Sequence, residues 1–274
     1  MKEIFINIYK FIFLRKKFYE FNLHLFKIAL RGIGALNSGG IKESGEKYFF
    51  EKIAKSHKLD TIFEVGANEG GYTQILRKIF PESEIYSFEP NPNVYIKLRS
   101  NTKNLNIHTY NYGFSNKNER SKLWDVSQKP LNKNYSSPLS TLYKDVITDL
   151  YKQRPISNVV KLKTIDSFCK SSDIDKIDLL CLDTEGNEFN ILKGAVKMLK
   201  KNKIGIVLFE FNEMNVVSRV FLKDFMIILP NFVFFRLFPD GLIKLDNYSP
   251  KTHEIFAYQN IAAFNKSVFN TINL

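Results

Sequence analysis

Two cysteines in 274 residues are too few for a disulfide framework, and Cys169 and Cys181 do not have metal-ligand spacing. The four histidines, His24, His57, His108 and His253, form no H-x-E or H-x-x-x-H pair, so no metal site is expected. A reduced, cytoplasmic setting follows. Long apolar runs are also missing. Ile4 to Leu14 is interrupted by Asn7 and Lys10 and spans about half of the roughly 20 residues a membrane crossing needs. No small-residue cleavage site follows it, so no signal peptide is expected. There is no internal repeat and no G-x-G-x-x-G pyrophosphate fingerprint. Acids are outnumbered, 28 against 40 Lys and Arg, for a net charge of +12. Because Lys, Asn, Ile and Phe are abundant throughout, that excess alone does not indicate a nucleic-acid surface.

What is present centres on residues 61–71, TIFEVGANEGG. Thr61, Ile62, Phe63 and Val65 read as a strand that carries Glu64, and Gly66, Asn68, Gly70 and Gly71 make a tight turn. Tyr72, Ile75, Leu76 and Ile79 then keep helical spacing until Pro81. Strand, glycine turn and helix form the unit that cradles a ligand in an open α/β sheet. Glycine tolerates positive φ there and lets a ligand reach the backbone. The free N–H groups at the helix start favour an anionic group.

A second strand, EIYSFEP (84–90), ends at Glu89, about 20 residues beyond the glycines, where an acid can hold two ribose hydroxyls. With the pyrophosphate fingerprint absent, the nucleoside that fits is S-adenosylmethionine, its carboxylate at the helix start. Pro90-Asn91-Pro92 opens the next helix, and the turn 111–116, which contains Tyr112, would cover an adenine.

Residues 177–183, IDLLCLD, read as a central strand buried on both faces. Asp183, Glu185 and Glu188 follow at its carboxyl end, where ligands gather in such sheets. Asp183, Glu185 or Glu188 could accept the proton of a hydroxyl acceptor. Asp183 would also lie beside the cofactor. Glu185 and Glu188 could instead simply favour the start of the following helix.

Four motifs in order, FEVGANEGGYT (63–73), YSFEPNP (86–92), VKLKTIDSF (160–168) and LDTEGNEFNILKGA (182–195), resemble the FkbM family of S-adenosylmethionine-dependent methyltransferases. The resemblance runs from about Gly45 to Phe264 and includes EIFAYQNI (254–261). It implies a class I methyltransferase fold, Rossmann-like and doubly wound in three αβα layers, and usually O-methylation of sugars or polyketide-like products. By position it assigns Glu64, Gly66, Asn68, Gly70 and Glu89 to the cofactor, and Asp183, Glu185 and Gly186 to the family's D-x-E-G motif. One departure is Cys181, where the family often has Lys.

The chain divides into an arm and linker (1–44), a methyltransferase domain (45–265) and a tail (266–274). Between Lys10 and Arg31 six basic residues face one acid, Glu20, with apolar residues at helical spacing. Such an arm either packs on the domain, ending at Gly32 and Gly34, or lies peripherally on an anionic membrane surface. Within the domain, a helix over 46–57, a third strand over 105–110 and a hairpin over about 113–125 are expected. A polar loop with Ser136, Ser137, Ser140 and Thr141 follows, then a strand at 159–162 and a short helix from Asp166. Helices over 189–200 and 215–229, a strand 204–209 ending at Glu210, and closing strands at 232–237 and 254–263 complete the sheet. The expected acceptor is a small molecule or glycan hydroxyl. Two other classes fit less well: a nucleic-acid methyltransferase, which lacks an Asn-Pro-Pro-Tyr-like clamp here, and a non-catalytic nucleoside-binding domain.

Overall fold

A computed structural model describes residues 2–127 and 139–269. Its strands are β1 Thr61–Val65, β2 Glu84–Phe88, β3 His108–Tyr110, β4 Gly113–Phe114, β5 Glu119–Val126 and β6 Ser140–Thr141. They continue with β7 Pro155–Lys163, β8 Ile177–Leu182, β9 Ile204–Phe211, β10 Phe232–Phe238, β11 Gly241–Lys244 and β12 Gln259–Asn265. The main sheet has the order β11-β10-β12-β9-β8-β1-β2-β3. β1, β2, β3, β8 and β9 pair in parallel, and β12 runs antiparallel between β9 and β10. That is the class I methyltransferase order, and β11 is added to it as an edge hairpin strand.

The helices are α1 Lys2–Phe13, α2 Tyr19–Gly32, α3 Glu46–Ser56, α4 Gly71–Ile79, α5 Pro92–Thr102 and α6 Ile165–Ser171. They continue with α7 Glu188–Lys193, α8 Val196–Lys200, α9 Met214–Ser218, α10 Leu222–Ile228, α11 Pro250–His253 and α12 Lys266–Phe269. Strand periodicity divides the core in two. Ile62 points to one face, where Phe49, Phe50, Ile53 and Leu76 of α3 and α4 pack. Phe63 points to the other, against Phe168, Ile191, Leu192 and Phe225 of α6, α7 and α10. All six residues of β8 are buried, as a strand covered on both faces requires. At the amino end of the sheet, Asp178 Oδ2 accepts from the backbone N–H groups of Asp60 and Thr61 at 2.8 and 2.9 Å, which ties β8 to the start of β1.

The expected 113–125 hairpin does not form. β4 and β5 flank β7 from opposite sides, parallel and antiparallel, in a separate sheet of order β4-β7-β5-β6. Nine residues of β7 offer a longer partner than the two of β4. The 105–110 strand is shortened to β3, and the 254–263 strand starts later, because α11 and a turn occupy the residues before Gln259. Ser136, Ser137 and residues 270–274 of the expected tail lie outside the described residues.

The arm folds into two helices. No residue of α1 is buried, and in α2 only Leu30 is. It joins the domain at its root, where Leu36 N–H donates to Tyr258 O at 2.8 Å and Arg236 Nη1 donates to Ile33 O at 3.1 Å. No helix among the described residues is long and apolar enough to cross a membrane.

Candidate active site at the β1 and β8 tips

β1 ends in Val65, and Gly66 turns with φ of +92°. A Cβ there would lie 1.7 Å from Asp183 O, so the tips of β1 and β8 touch and only glycine fits between them. The contact is sealed by Asp183 N–H donating to Val65 O at 3.0 Å. Gly66 and Ala67 N–H both donate to Phe88 O at 3.0 Å, which ties the turn to β2 as well. Asn68 and Gly70 also have positive φ, and Gly70 forms the N-cap of α4.

Two cavities meet at this contact and share Val65, Gly66 and Asp183. The first, about 680 Å³ including its open mouth, extends past Asn68, Glu89, Pro90, Val94 and Phe114 to Leu123, Ser140, Leu142 and Leu162. Those last four belong to the small sheet and the residue that follows β6. The second, about 530 Å³, lies on the β9 and β12 side and is lined by Glu46, Glu64, Tyr72, Cys181, Glu210, Tyr258 and Asn260. Among the described residues no basic side chain lines it.

Glu89 is buried beside the first cavity. Its Oε2 accepts from Asn68 N–H at 3.0 Å and its Oε1 from Asn91 N–H at 2.7 Å. Burial raises its proton affinity, to a pKa of about 7, against the pull of those two donors. Asn91 does not line the cavity. Its side chain caps α5 by accepting from Asn93 N–H at 3.1 Å, and Pro92 follows at the first helical position. Tyr112 also sits outside the lining, in the aromatic cluster with Phe88, Tyr110 and Phe168; Phe114, two residues on, is the ring that reaches the cavity.

Glu64 turns to the second cavity. Its Oε2 accepts from Thr73 and Ser87 hydroxyls, the latter at 2.7 Å, while Oε1 is buried with no hydrogen-bond partner among the described residues. Burial, only partly opposed by the two hydroxyls, raises its pKa to about 7. Glu46 accepts from Ser44 and Tyr72 hydroxyls at 2.6 and 2.8 Å and is also raised by burial.

The three acids after β8 separate in space. Asp183 stands exposed where both cavities open, and the protein packed around its carboxyl, then Glu188, pushes its proton affinity upward from the ordinary value. Glu185 lines the first cavity with φ of +57°; Thr141 Oγ1 donates to its carbonyl at 2.8 Å and holds the turn. Its carboxyl is raised well above the ordinary value by burial and then by Asp183. Glu188 lines neither cavity. Its Oε1 accepts from Thr184 N–H at 2.8 Å, Thr184 Oγ1 at 2.9 Å and Gly186 N–H at 3.3 Å, so it supports the turn from beneath.

Cys181 is a buried free thiol on the second cavity, pushed up well above its ordinary value by burial and so neutral. Glu46, Glu210, Tyr258 and Asn260 were not singled out by sequence. Glu210 carried a usable signal, since it ends a central strand as Asp183 does. Tyr258 and Asn260 lie in EIFAYQNI (254–261), to which the family resemblance assigns no role, and Glu46 carried no signal because it reaches the cavity from α3.

The family model for the FkbM methyltransferase domain matches residues 64–233. The 2-O-methyltransferase NoeI of Sinorhizobium fredii (strain NBRC 101917 / NGR234) is 24% identical over 197 residues, which is 66% of this chain and 75% of that protein. Among solved structures, an rRNA methylase from Streptococcus thermophilus has 11% identity and a TM-score of 0.42, covering 81% of this chain and 97% of that one. An S-adenosylmethionine-dependent O-methyltransferase from Thermotoga maritima has 12% identity and a TM-score of 0.37, covering 80% and 64%. Those structural likenesses are distant, and the fold assignment rests on the strand order. The matched segment runs from Glu64 in β1 to Val233 in β10, and the chain belongs to the FkbM methyltransferase family, enzymes that use S-adenosylmethionine.

Proposed function

We propose that the enzyme methylates a hydroxyl oxygen, on a glycan or glycan precursor, and that Asp183 is the proton acceptor. The observation that carries this reading is the position of Asp183 where the two cavities meet. A carboxylate at that point suits an alcohol acceptor, which needs its proton removed as it attacks. The hydroxyl acceptor is further supported by the Sinorhizobium relative, a 2-O-methyltransferase.

The residues fit the cofactor on three counts. Gly66 leaves the close approach at the β1–β8 contact free of a side chain. Each Glu89 oxygen accepts one backbone N–H and can accept a second bond, suiting two ribose hydroxyls. Among the described residues, Glu64 Oε1 is a buried acceptor without a donor, and the cavity it faces holds Glu46, Asp183 and Glu210 with no basic side chain, suiting a cationic amino-acid end. When bound, S-adenosylmethionine supplies an activated methyl group on a sulfonium. Asn68 and Glu89 would hold the nucleoside, with Gly70, Asn91 and Tyr112 acting from behind the lining. Asp183 would take the acceptor's proton as the acceptor oxygen gains the methyl carbon and the sulfur–carbon bond breaks to leave a neutral thioether, Glu185 would orient the acceptor, and Glu188 would keep both acids in place through the turn. Two buried thiols in place of disulfides support a reducing, cytoplasmic setting.

The test is methyl labelling. Cell-surface polysaccharide and its precursors from cells with and without the protein are compared for label from the methyl donor. Loss of label on one glycan species identifies the acceptor. With that acceptor, Asp183→Asn lowers turnover by about 10²–10⁴-fold, the usual contribution of a positioned base, with cofactor affinity nearly unchanged. Turnover close to that of the unmodified enzyme would show that positioning alone carries the reaction.

A further inference from the structure

The arm is the one large feature the methyl-transfer site leaves unexplained, and its surface is unlike that of a folded domain. Ile4, Phe5, Ile6, Ile8, Phe11 and Ile12 of α1 are all exposed, Phe5 at 75% and Phe11 at 76%. Tyr19, Phe21, Leu25, Phe26 and Ile28 continue the exposed apolar surface along α2. A contiguous patch of this kind marks a surface that meets another phase or molecule. Most polar residues fall in narrow stripes at helical spacing, Glu3, Asn7 and Lys10 on α1 and Glu20, His24, Lys27 and Arg31 on α2, with Lys2 and Asn22 off them.

The arm is also built to hold its shape. Phe13 packs on Tyr9, Phe18 and Phe21, with ring centroids 5.0, 5.1 and 5.4 Å apart. Asn22 accepts from the Tyr9 hydroxyl and donates to Phe13 O at 3.1 Å, which fixes the bend between the helices. Arg15, Lys16 and Lys17 stand exposed at that bend. From Lys2 to Arg31 there are seven basic residues against two acids.

We infer that α1 and α2 form a docking surface for an anionic lipid membrane, their apolar faces entering the interfacial layer while the basic residues meet the headgroups. Twelve residues at about 1.5 Å rise give α1 roughly 18 Å, too short to cross a hydrocarbon core of about 30 Å, so the helix lies in the interface. The charge decides the occupant. Two copies meeting through this face would bring two strongly basic arms together, whereas an anionic lipid surface neutralises them. The root of the arm bonds to Tyr258, which lines the second cavity, so docking would anchor the chain close to that cavity.

The experiment is co-sedimentation of the full chain with vesicles of equal parts phosphatidylglycerol and phosphatidylcholine, against vesicles of phosphatidylcholine alone. The expected result is partition onto the anionic vesicles that weakens as salt rises. The Phe5→Asp/Phe11→Asp double variant lowers that partition about 10-fold or more, and so does Lys16→Glu/Lys17→Glu. Both leave S-adenosylmethionine affinity unchanged, because neither helix supplies a residue to the cavities. No partition onto anionic vesicles at low salt overturns the inference, as does partition that both variants retain. A lipid-free dimer abolished by Phe5→Asp/Phe11→Asp would assign the face to a second copy. RNA binding lost in Lys16→Glu/Lys17→Glu, without vesicle partition, would assign the basic bend to nucleic acid. Because vesicle binding is read without turnover, its failure is separate from failure of the acceptor assignment.

Discussion

At the residue scale, the acids of the site differ in what they already hold. Glu188 accepts three hydrogen bonds from its own turn through Oε1 alone, Glu89 accepts two from backbone N–H groups, and Glu64 Oε1 and Glu188 Oε2 each lack a donor among the described residues. A carboxylate committed to its neighbours shapes the backbone; one with unused lone pairs is available to a ligand. Glu89 does both. Glu89→Ala removes the proposed ribose acceptor and should weaken S-adenosylmethionine binding by about 1.5–3 kcal/mol, the range for hydrogen bonds to a charged group. Calorimetry on a folded variant measures it directly. Affinity equal to that of the unmodified protein would reject Glu89 as the ribose acceptor, while a variant with lost secondary structure would show that holding Asn68 and Asn91 is its larger role.

At the element scale, the contact between β1 and β8 governs the site, because Gly66 and Asp183 bring both cavities to one point. Gly66→Ala would force a left-handed alanine into a backbone carbonyl, costing about 3 kcal/mol or more. Chemical denaturation should show that loss together with loss of cofactor binding; a stable variant that binds normally would mean the two tips can part cheaply. The parallel core around this contact was legible in the sequence because a glycine turn, a terminal acid and a buried apolar run are local signals. Longer-range choices were not. The expected helix over 189–200 divides at Gly194, where a Cβ would lie 2.1 Å from Ser115 O and the chain must pass tightly against another strand end. The 215–229 helix divides at Arg219, which adopts φ of +56°. β4 and β5 choose β7 over each other, a tertiary preference that no short motif encodes.

At the scale of the whole molecule, a chain of net charge +12 concentrates buried carboxyls at its ligand site, and this ties stability to pH. Glu64 and Glu89 have pKa values of about 7 in the fold, against an ordinary value near 4.5, chiefly because burial penalises their ionised forms. A raised folded-state pKa means the native state binds the proton more tightly than the unfolded chain does. The stability so gained is complete below the ordinary value and is lost as pH rises through about 7. At roughly 1.4 kcal/mol per unit, each group contributes at most about 3 kcal/mol. The apoenzyme should therefore melt at lower temperature near pH 8 than near about pH 5.5. A cationic ligand reverses the preference, since it favours the ionised carboxylates that the empty fold disfavours. Saturating S-adenosylmethionine should raise the melting temperature more at the higher pH. Glu64→Gln should flatten part of the pH dependence of the apoenzyme and reduce the gain from ligand at the higher pH. Scanning calorimetry across this range decides it: an apo melting temperature that stays level between about pH 5.5 and about 8 would mean that these carboxyls are ionised throughout and that solvent reaches them.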